Sequence, residues 1–341
     1  DIPALQKVMA DDGAPPFTAA LLKGRGNYLC LKRYKDFRRD SRLLSDDIRA
    51  LLKVQLWLHS TESGDRAELP FNDREGAAWG RMSAAWEQCT GPRCGDYHQC
   101  FFFKARKQAE AAHLVVVNHA LLLADMTIET DVIPPYDHVV IDEAHNLEEV
   151  ATDQFGFAVD RDGLLKFLDD IFVEDQAQIV GGLLSELPNY FRGSVATQAN
   201  VDQADTIAAA LRPAVTRARE AVYGCFNMLT AFIKVEAELT AYDSRLRITD
   251  SLRRKPAWAD VERAWDTLNT GLNAVGEGIG RLETLLSDLK NAELPEYDAL
   301  VLRVQSLKRY ATDVRINIGH ILSGGAEEKV TWLTHERNRD T

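Results

Sequence analysis

The chain has 341 residues, room for two or three compact units, and its 45% hydrophobic and 27% charged residues are an ordinary globular balance. The apolar run Leu114–Val117 is far short of the ~20 residues that a membrane-spanning helix needs. No signal segment opens the chain, so we expect a cytoplasmic protein without membrane contact. A formal net charge of −12 argues against a protein that coats nucleic acid by bulk attraction.

The first 20 residues predict a short, turn-rich segment around Pro15 and Pro16. We expect this segment to be a remnant of something upstream. The chain also opens at Asp1 rather than at a methionine, which hints at a processed or excised piece.

A basic patch follows between residues 23 and 42, against only two acidic residues, Asp36 and Asp40. A local basic patch on an acidic protein suits a guided contact with a polyanion, although a solvated helix face has the same composition. The basic residues are Lys23, Arg25, Lys32, Arg33, Lys35, Arg38, Arg39 and Arg42.

The cysteines divide into a group of four and an isolated fifth. Cys30 stands alone, then Cys89, Cys94 and Cys100 follow one another closely. Four thiolates can hold a tetrahedral zinc ion or an iron–sulfur cluster, and one distant cysteine with three clustered ones favours the cluster without excluding zinc. Cys225 lies in a helical pattern, and we predict that it is an ordinary buried small hydrophobe.

Aromatic and basic side chains alternate around these cysteines. Bases stack on aromatic faces and phosphates need counter-charge, so the pattern predicts a path for single-stranded DNA. The alternative is that the aromatics only shield the cysteine site from water. The candidate DNA contacts are Lys23, Arg25, Tyr28, Lys32, Arg33, Lys104 and Arg106.

Two short apolar runs, at 113–118 and 138–142, predict buried strands of a parallel sheet. The second run ends in Asp142, Glu143 and His145, which places two carboxylates at the carboxyl edge of the sheet, where ligands bind. In nucleotide hydrolysis the first of two such carboxylates holds Mg²⁺ and the next orients the attacking water. An acidic helix N-terminus after a strand is the structural alternative.

The sequence contains no Gly-x4-Gly-Lys-Ser/Thr phosphate-binding loop. The nearest spacing, Gly271 to Gly276, is followed by Glu277 and lies in a helical pattern. We therefore expect that this chain does not hydrolyse ATP by itself.

From about residue 160 the hydrophobic period becomes helical. Apolar residues alternate in three- and four-residue steps over Ile207–Ile233, Val261–Leu289 and Leu300–Ile321. Each stretch gives one apolar stripe, so we predict three long helices that pack antiparallel, and a short strand at Lys329–Thr334.

The motifs together resemble a known family. Lys23-Gly-Arg-Gly-Asn-Tyr-Leu-Cys30, the three clustered cysteines, Val116-Val-Asn-His-Ala-Leu-Leu122 and Val140-Ile-Asp-Glu-Ala-His-Asn-Leu147 occur in this order. They resemble the DinG branch of the XPD-like superfamily 2 DNA helicases, over about residues 1–160.

The resemblance implies a [4Fe-4S] cluster on Cys30, Cys89, Cys94 and Cys100, and a DEAH box in which Asp142 binds the Mg²⁺ of Mg-ATP. The implied fold is mixed and mainly α. A cysteine-rich module and a long-helix arch are attached to a partial α/β, RecA-like motor core. The implied segments are motor domain 1 at 1–20 and 111–160, the iron–sulfur domain at 21–110, the arch at 161–325 and a return to motor domain 1 at 326–341.

The implied parent is an ATP-dependent 5′→3′ DNA helicase that acts as a monomer on single-stranded and forked DNA, near the nucleoid if it is bacterial. The family's phosphate-binding loop and second motor domain are missing here, so we expect this piece to guide and separate DNA without its own motor. Two other functions stay open. One is a non-enzymatic, DNA-binding iron–sulfur module, and the other is a zinc-stabilised interaction scaffold.

Overall fold

The computed structural model describes residues 2–39, 43–84, 89–127, 132–175, 178–192, 194–236, 244–290, 294–324 and 330–335. The chain divides into two compact units, residues 1–157 and 158–341. It is mainly helical, with three small two-stranded sheets among the described residues, as the sequence predicts. No helix in these ranges is both long and apolar enough to cross a membrane.

The first unit combines short helices with one pair of strands. Its elements are α1 (Ile2–Asp11), β1 (Ala19–Leu21), α2 (Leu31–Phe37), α3 (Ser45–Trp57), α4 (Asp73–Met82), α5 (Phe101–Glu110), β2 (Leu114–Val116), α6 (His119–Thr127) and α7 (Leu147–Phe155).

The predicted strand at 113–118 is formed as β2, but it is not buried as predicted, because Leu114 and Val116 are 39% and 37% exposed. It pairs in parallel with β1, with Ala19 opposite Leu114 and Leu21 opposite Val116. The prediction of a turn-rich segment is wrong for residues 2–11, which form α1. Leu5 and Val8 recur at helical spacing there, and the proline pair acts only beyond the helix.

The predicted buried strand at 138–142 is not formed. These residues pair with no strand in the described part of the chain, and Val139, Val140 and Ile141 are 56%, 95% and 39% exposed. A β-branched run favours extended backbone, but a strand also needs a neighbour to accept its hydrogen bonds. Here β2 pairs with β1, and the run before Asp142 remains unpaired.

The core of the first unit lies where α2 to α5 meet the segment before Cys30. Tyr28, Leu29, Met82 and Phe102 are among its most buried side chains. Glu75 is buried in the first turn of α4, where it accepts from the backbone N–H of Asn72 (3.0 Å) and pairs with Lys53 (2.6 Å). The Lys53 ammonium and the Asn72 N–H lower the pKa of Glu75, which is the expected effect of hydrogen bonds to a carboxylate.

The second unit is a helical bundle with two short β-ribbons. Its elements are α8 (Arg161–Ile171), β3 (Val173–Asp175), β4 (Gln178–Gly181), α9 (Leu183–Phe191), α10 (Gln198–Glu236), β5 (Ser244–Arg247), α11 (Asp250–Arg253), α12 (Trp258–Asp288), α13 (Tyr297–Ser323) and β6 (Trp332–His335).

The three long helices are confirmed as α10, α12 and α13, and their predicted apolar stripes form the core. The Gly271–Gly276 pair lies inside α12, as predicted. An added Cβ at Gly271 would stand 3.1 Å from the Ala218 Cα, so this glycine lets α10 approach α12 closely. The predicted strand at 329–334 is observed as β6, and Lys329 lies outside the described residues.

Candidate cysteine centre and acidic loop

The first unit holds four of the five cysteines on four different local structures. Cys30 precedes α2 and Cys100 precedes α5, while Cys94 follows the short 3-10 turn Gly91–Arg93. All four thiols, including Cys89, are partly buried and free of disulfide bonds. Cys225 is buried in α10, where burial raises the pKa of its thiol to about 11, so the prediction of an ordinary core cysteine is confirmed.

The fold brings these four cysteines within electrostatic reach of one another. Burial raises the pKa of the Cys30 and Cys100 thiols. Negative charge on neighbouring cysteines raises these pKa values further. Cys94 has this effect on both thiols, and Cys89 has it on Cys100. Cysteines that are far apart in sequence therefore lie near one another.

Backbone N–H groups also point at two of the sulfurs. The Cys30 Sγ accepts from the backbone N–H of Arg33, and the Cys100 Sγ accepts from those of Phe102 and Phe103. These bonds lower the thiol pKa values, against the effect of burial. Hydrogen bonds of this kind favour thiolates and tune metal centres that thiolates hold.

Arg25 lies beside the cysteines, and its role as a DNA contact stays a prediction. Its side chain hydrogen-bonds to Cys89 and interacts with Cys100, and its guanidinium carbon lies 4.0 Å from the centre of the Phe102 ring. Burial lowers the pKa of Arg25, while the two cysteines oppose that shift. The cation is therefore directed at the sulfurs and the aromatic core.

Tyr28 departs from its predicted role. Only 3% of its surface is exposed, and its ring meets Phe102 edge-on at 5.8 Å. Its hydroxyl accepts from the backbone N–H of Lys23 (3.0 Å). A ring enclosed in this way offers no face to a base, so Tyr28 is part of the core. The Lys23 ammonium pairs with Asp65 at 2.5 Å.

The remaining candidate DNA contacts surround this core. Lys32 pairs with Asp36 at 3.0 Å, and Arg33 donates to the backbone carbonyls of Ser83 (2.5 Å) and Gly80 (3.0 Å). On α5, Lys104 is exposed, with its ammonium 5.7 Å from the centre of a phenyl ring, and Arg106 pairs with Glu110 at 3.5 Å. Lys104 thus has the open position that a phosphate contact requires, and the roles of Lys32, Arg33, Lys104 and Arg106 stay predictions.

The Asp-Glu-Ala-His sequence forms an exposed loop before α7. Glu143 has the left-handed backbone conformation (φ 48°), and its N–H donates to the Asp142 carboxylate at 2.9 Å. His145 Nδ1 lies 3.3 Å from a Glu143 carboxylate oxygen. A left-handed non-glycine residue is uncommon and often marks a functional turn.

His119 is a neighbour of this loop that the sequence reasoning did not assign. Its Nε2 lies 2.9 Å from the backbone carbonyl oxygen of Asp142. It follows Asn118, which caps α6 by accepting from the backbone N–H of Leu121 (2.9 Å). His119 belongs to the Val116–Leu122 motif that the sequence shows, but nothing in a single sequence connects residue 119 with residue 142.

No group of three or more His, Cys, Asp or Glu side chains within the described ranges converges on a point where one metal ion could bind. The four cysteines interact electrostatically without meeting at such a point. Asp142 and Glu143 likewise do not form a closed ion site within these ranges.

Known families match this part of the chain. The DEAD_2 family model matches residues 89–164, which include three of the clustered cysteines and the acidic loop. The ATP-dependent DNA helicase YoaA of Escherichia coli is 33% identical over 188 residues, covering 52% of this chain and 28% of the relative. The ATP-dependent helicase DinG of Mycobacterium tuberculosis H37Rv is 37% identical over 150 residues, covering 39% and 22%.

A third relative is named for another activity. The 3′-5′ exonuclease DinG of Bacillus subtilis is 32% identical over 142 residues, covering 41% of this chain and 15% of the relative. The matches therefore span less than a third of these relatives. The matched part of this chain is therefore similar to DinG-like helicases, as the resemblance predicts.

Proposed function

We propose that this chain supplies the iron–sulfur and arch elements with which an ATP-dependent 5′→3′ DNA helicase guides and separates single-stranded DNA. The observation that carries the proposal is the proximity of Cys30, Cys94 and Cys100, with Cys89 beside Cys100, in a chain similar to DinG helicases. In this assignment, residues 21–110 are the iron–sulfur domain and 161–325 the arch. Residues 1–20, 111–160 and 326–341 belong to the first motor domain, whose fold would be RecA-like.

Cys30, Cys89, Cys94 and Cys100 would hold a [4Fe-4S] cluster. A cubane binds each thiolate to a different iron, whereas a zinc ion draws all four sulfurs to within about 2.3 Å of one point. One distant cysteine with three clustered ones supports the cluster over zinc. When bound, the cluster would link α2, the 89–94 loop and α5 covalently, and the Arg25 guanidinium would offset its negative charge.

The acidic loop would serve the nucleotide. Asp142 would bind the Mg²⁺ of Mg-ATP, Glu143 would orient the attacking water and His145 would transmit the nucleotide state. The Glu143 N–H fixes the Asp142 carboxylate, and the His145 ring contacts the Glu143 carboxylate, so the three side chains are coupled. Hydrolysis also requires a phosphate-binding loop, which this sequence lacks.

The parent enzyme would act as a monomer on single-stranded and forked DNA, near the nucleoid in a bacterium. A second candidate function is a non-enzymatic, DNA-binding iron–sulfur module.

The DNA-guiding role predicts an effect of Lys104→Ala combined with Arg106→Ala. The double variant should bind an oligothymidylate more weakly, and the slope of log affinity against log salt should become shallower by about 0.7 for each phosphate that is no longer neutralised. Titration by fluorescence anisotropy at several salt concentrations measures both quantities. The matched control is Lys7→Ala with Arg74→Ala, which removes two exposed cations from α1 and α4. Equal slopes in the two double variants would contradict a DNA contact on α5.

A further inference from the structure

The ribbon of β5 and β6 in the second unit has two chemically different faces. The strands are antiparallel, with Arg245 opposite Thr334 and Arg247 opposite Trp332. Cross-strand partners share a face, so these four residues lie together on one side. The intervening pair packs against the helical core from the other side and consists of Leu246 and Leu333.

The outer face exposes a large aromatic ring. Trp332 is 38% exposed, the most of the five tryptophans that the structure describes, whereas Trp258 and Trp265 in the same unit are 0% and 5% exposed. The Arg245 guanidinium carbon lies 5.1 Å from the centre of a Trp332 ring, within cation–π range. An indole held by a guanidinium at the surface is a ready stacking platform.

The same face carries positive charge that no acidic residue pairs with among the residues that the structure describes. Neither strand contains an acidic residue, and Arg245 and Arg247 are both exposed. Neither arginine forms an ion pair with any residue in the described part of the chain, whereas Arg253, just beyond β5, pairs with Asp250. Two cations two residues apart on one strand point to the same side and can contact one extended anion.

We propose that the outer face of the β5–β6 ribbon is a binding site for single-stranded nucleic acid. One base stacks on Trp332, and the adjoining phosphates contact Arg245 and Arg247. A run of acidic residues would use the two arginines but has no aromatic ring for the indole, whereas a nucleotide uses both. The proposal rests on the proposed function for its choice of partner, and it adds a site in the second unit that is separate from the candidate contacts on α5.

The test is binding of a fluorescent oligothymidylate to the whole 341-residue chain. Trp332→Ala should weaken binding about tenfold, as expected when one base no longer stacks, and Trp332→Phe should retain most of the affinity. Arg245→Ala with Arg247→Ala should make the salt slope shallower by about 1.4, the value for two phosphates of a single strand. The matched control, Arg281→Ala with Arg309→Ala, removes two exposed arginines from α12 and α13. It should change neither the affinity for the oligothymidylate nor the salt slope.

Three outcomes would overturn the ribbon site. If the ribbon variants bind normally while the α5 double variant binds weakly, the ribbon site is rejected and the proposed function stands. If the unmodified chain binds no oligothymidylate at low salt, both are rejected. If the arginine variants lose polyglutamate binding as strongly as DNA binding and Trp332→Ala has no effect, the ribbon is a site for acidic polypeptides instead.

Discussion

Replacing Cys94 with Ser is expected to remove the iron and acid-labile sulfide from the chain and to unfold much of the first unit. Cys94 lies within electrostatic reach of Cys30 and Cys100, so its loss removes one ligand of the proposed four-cysteine site. In small metal-holding modules the free energy of metal binding is folding free energy, and for structural zinc it reaches about 10 kcal/mol. Metal analysis and thermal unfolding by circular dichroism measure the two effects.

The control for this prediction is Cys225→Ala. Cys225 is buried in α10 and lies in the other unit, so the variant should lose some stability from core packing and none of the metal. A Cys94→Ser protein with full metal content and unchanged melting would show that Cys94 is not a ligand.

Gly64→Ala should destabilise the first unit by roughly 2–4 kcal/mol, since overpacking and a left-handed alanine each contribute. Gly64 has φ +66°, and an added Cβ would stand 2.1 Å from the Phe101 Cγ. Phe101 follows Cys100 directly, so relief of the clash would move a proposed ligand. We therefore expect reduced iron content as well as a lower unfolding midpoint in urea.

The matched control is Gly80→Ala in α4. An added Cβ at Gly80 meets nothing within 4 Å, and alanine is the better helix former, so this variant should be neutral or slightly stabilised. If Gly64→Ala and Gly80→Ala have the same urea midpoint, the close approach of Gly64 and Phe101 is not a determinant of this fold.

The long helices were predictable from sequence because their apolar stripes are long and regular, as over Val261–Leu289. The short elements were harder to predict. The first helix was missed because a nearby proline pair is typical of turns. The run at 138–142 was predicted as a buried strand because its composition is β-branched, but composition does not supply the neighbouring strand that pairing requires.

The residue types of the candidate site could be predicted from the sequence, but their contacts in three dimensions could be predicted less well. Cysteine spacing and the acidic motif carry their own signals, whereas basic and aromatic residues have the same composition in a core and on a DNA-binding surface. Arg25 and Tyr28 were therefore assigned to DNA, although both lie against Phe102 in the structure. The contact of His119 with Asp142 depends on tertiary packing and has no local signal.

The measurement that tests the central claim most directly is the iron, acid-labile sulfide and zinc content of the chain purified without air. About four iron and four sulfide per chain are expected for one cubane on Cys30, Cys89, Cys94 and Cys100. Stoichiometric zinc without iron or sulfide would contradict the cluster. The four cysteines would then have a structural role.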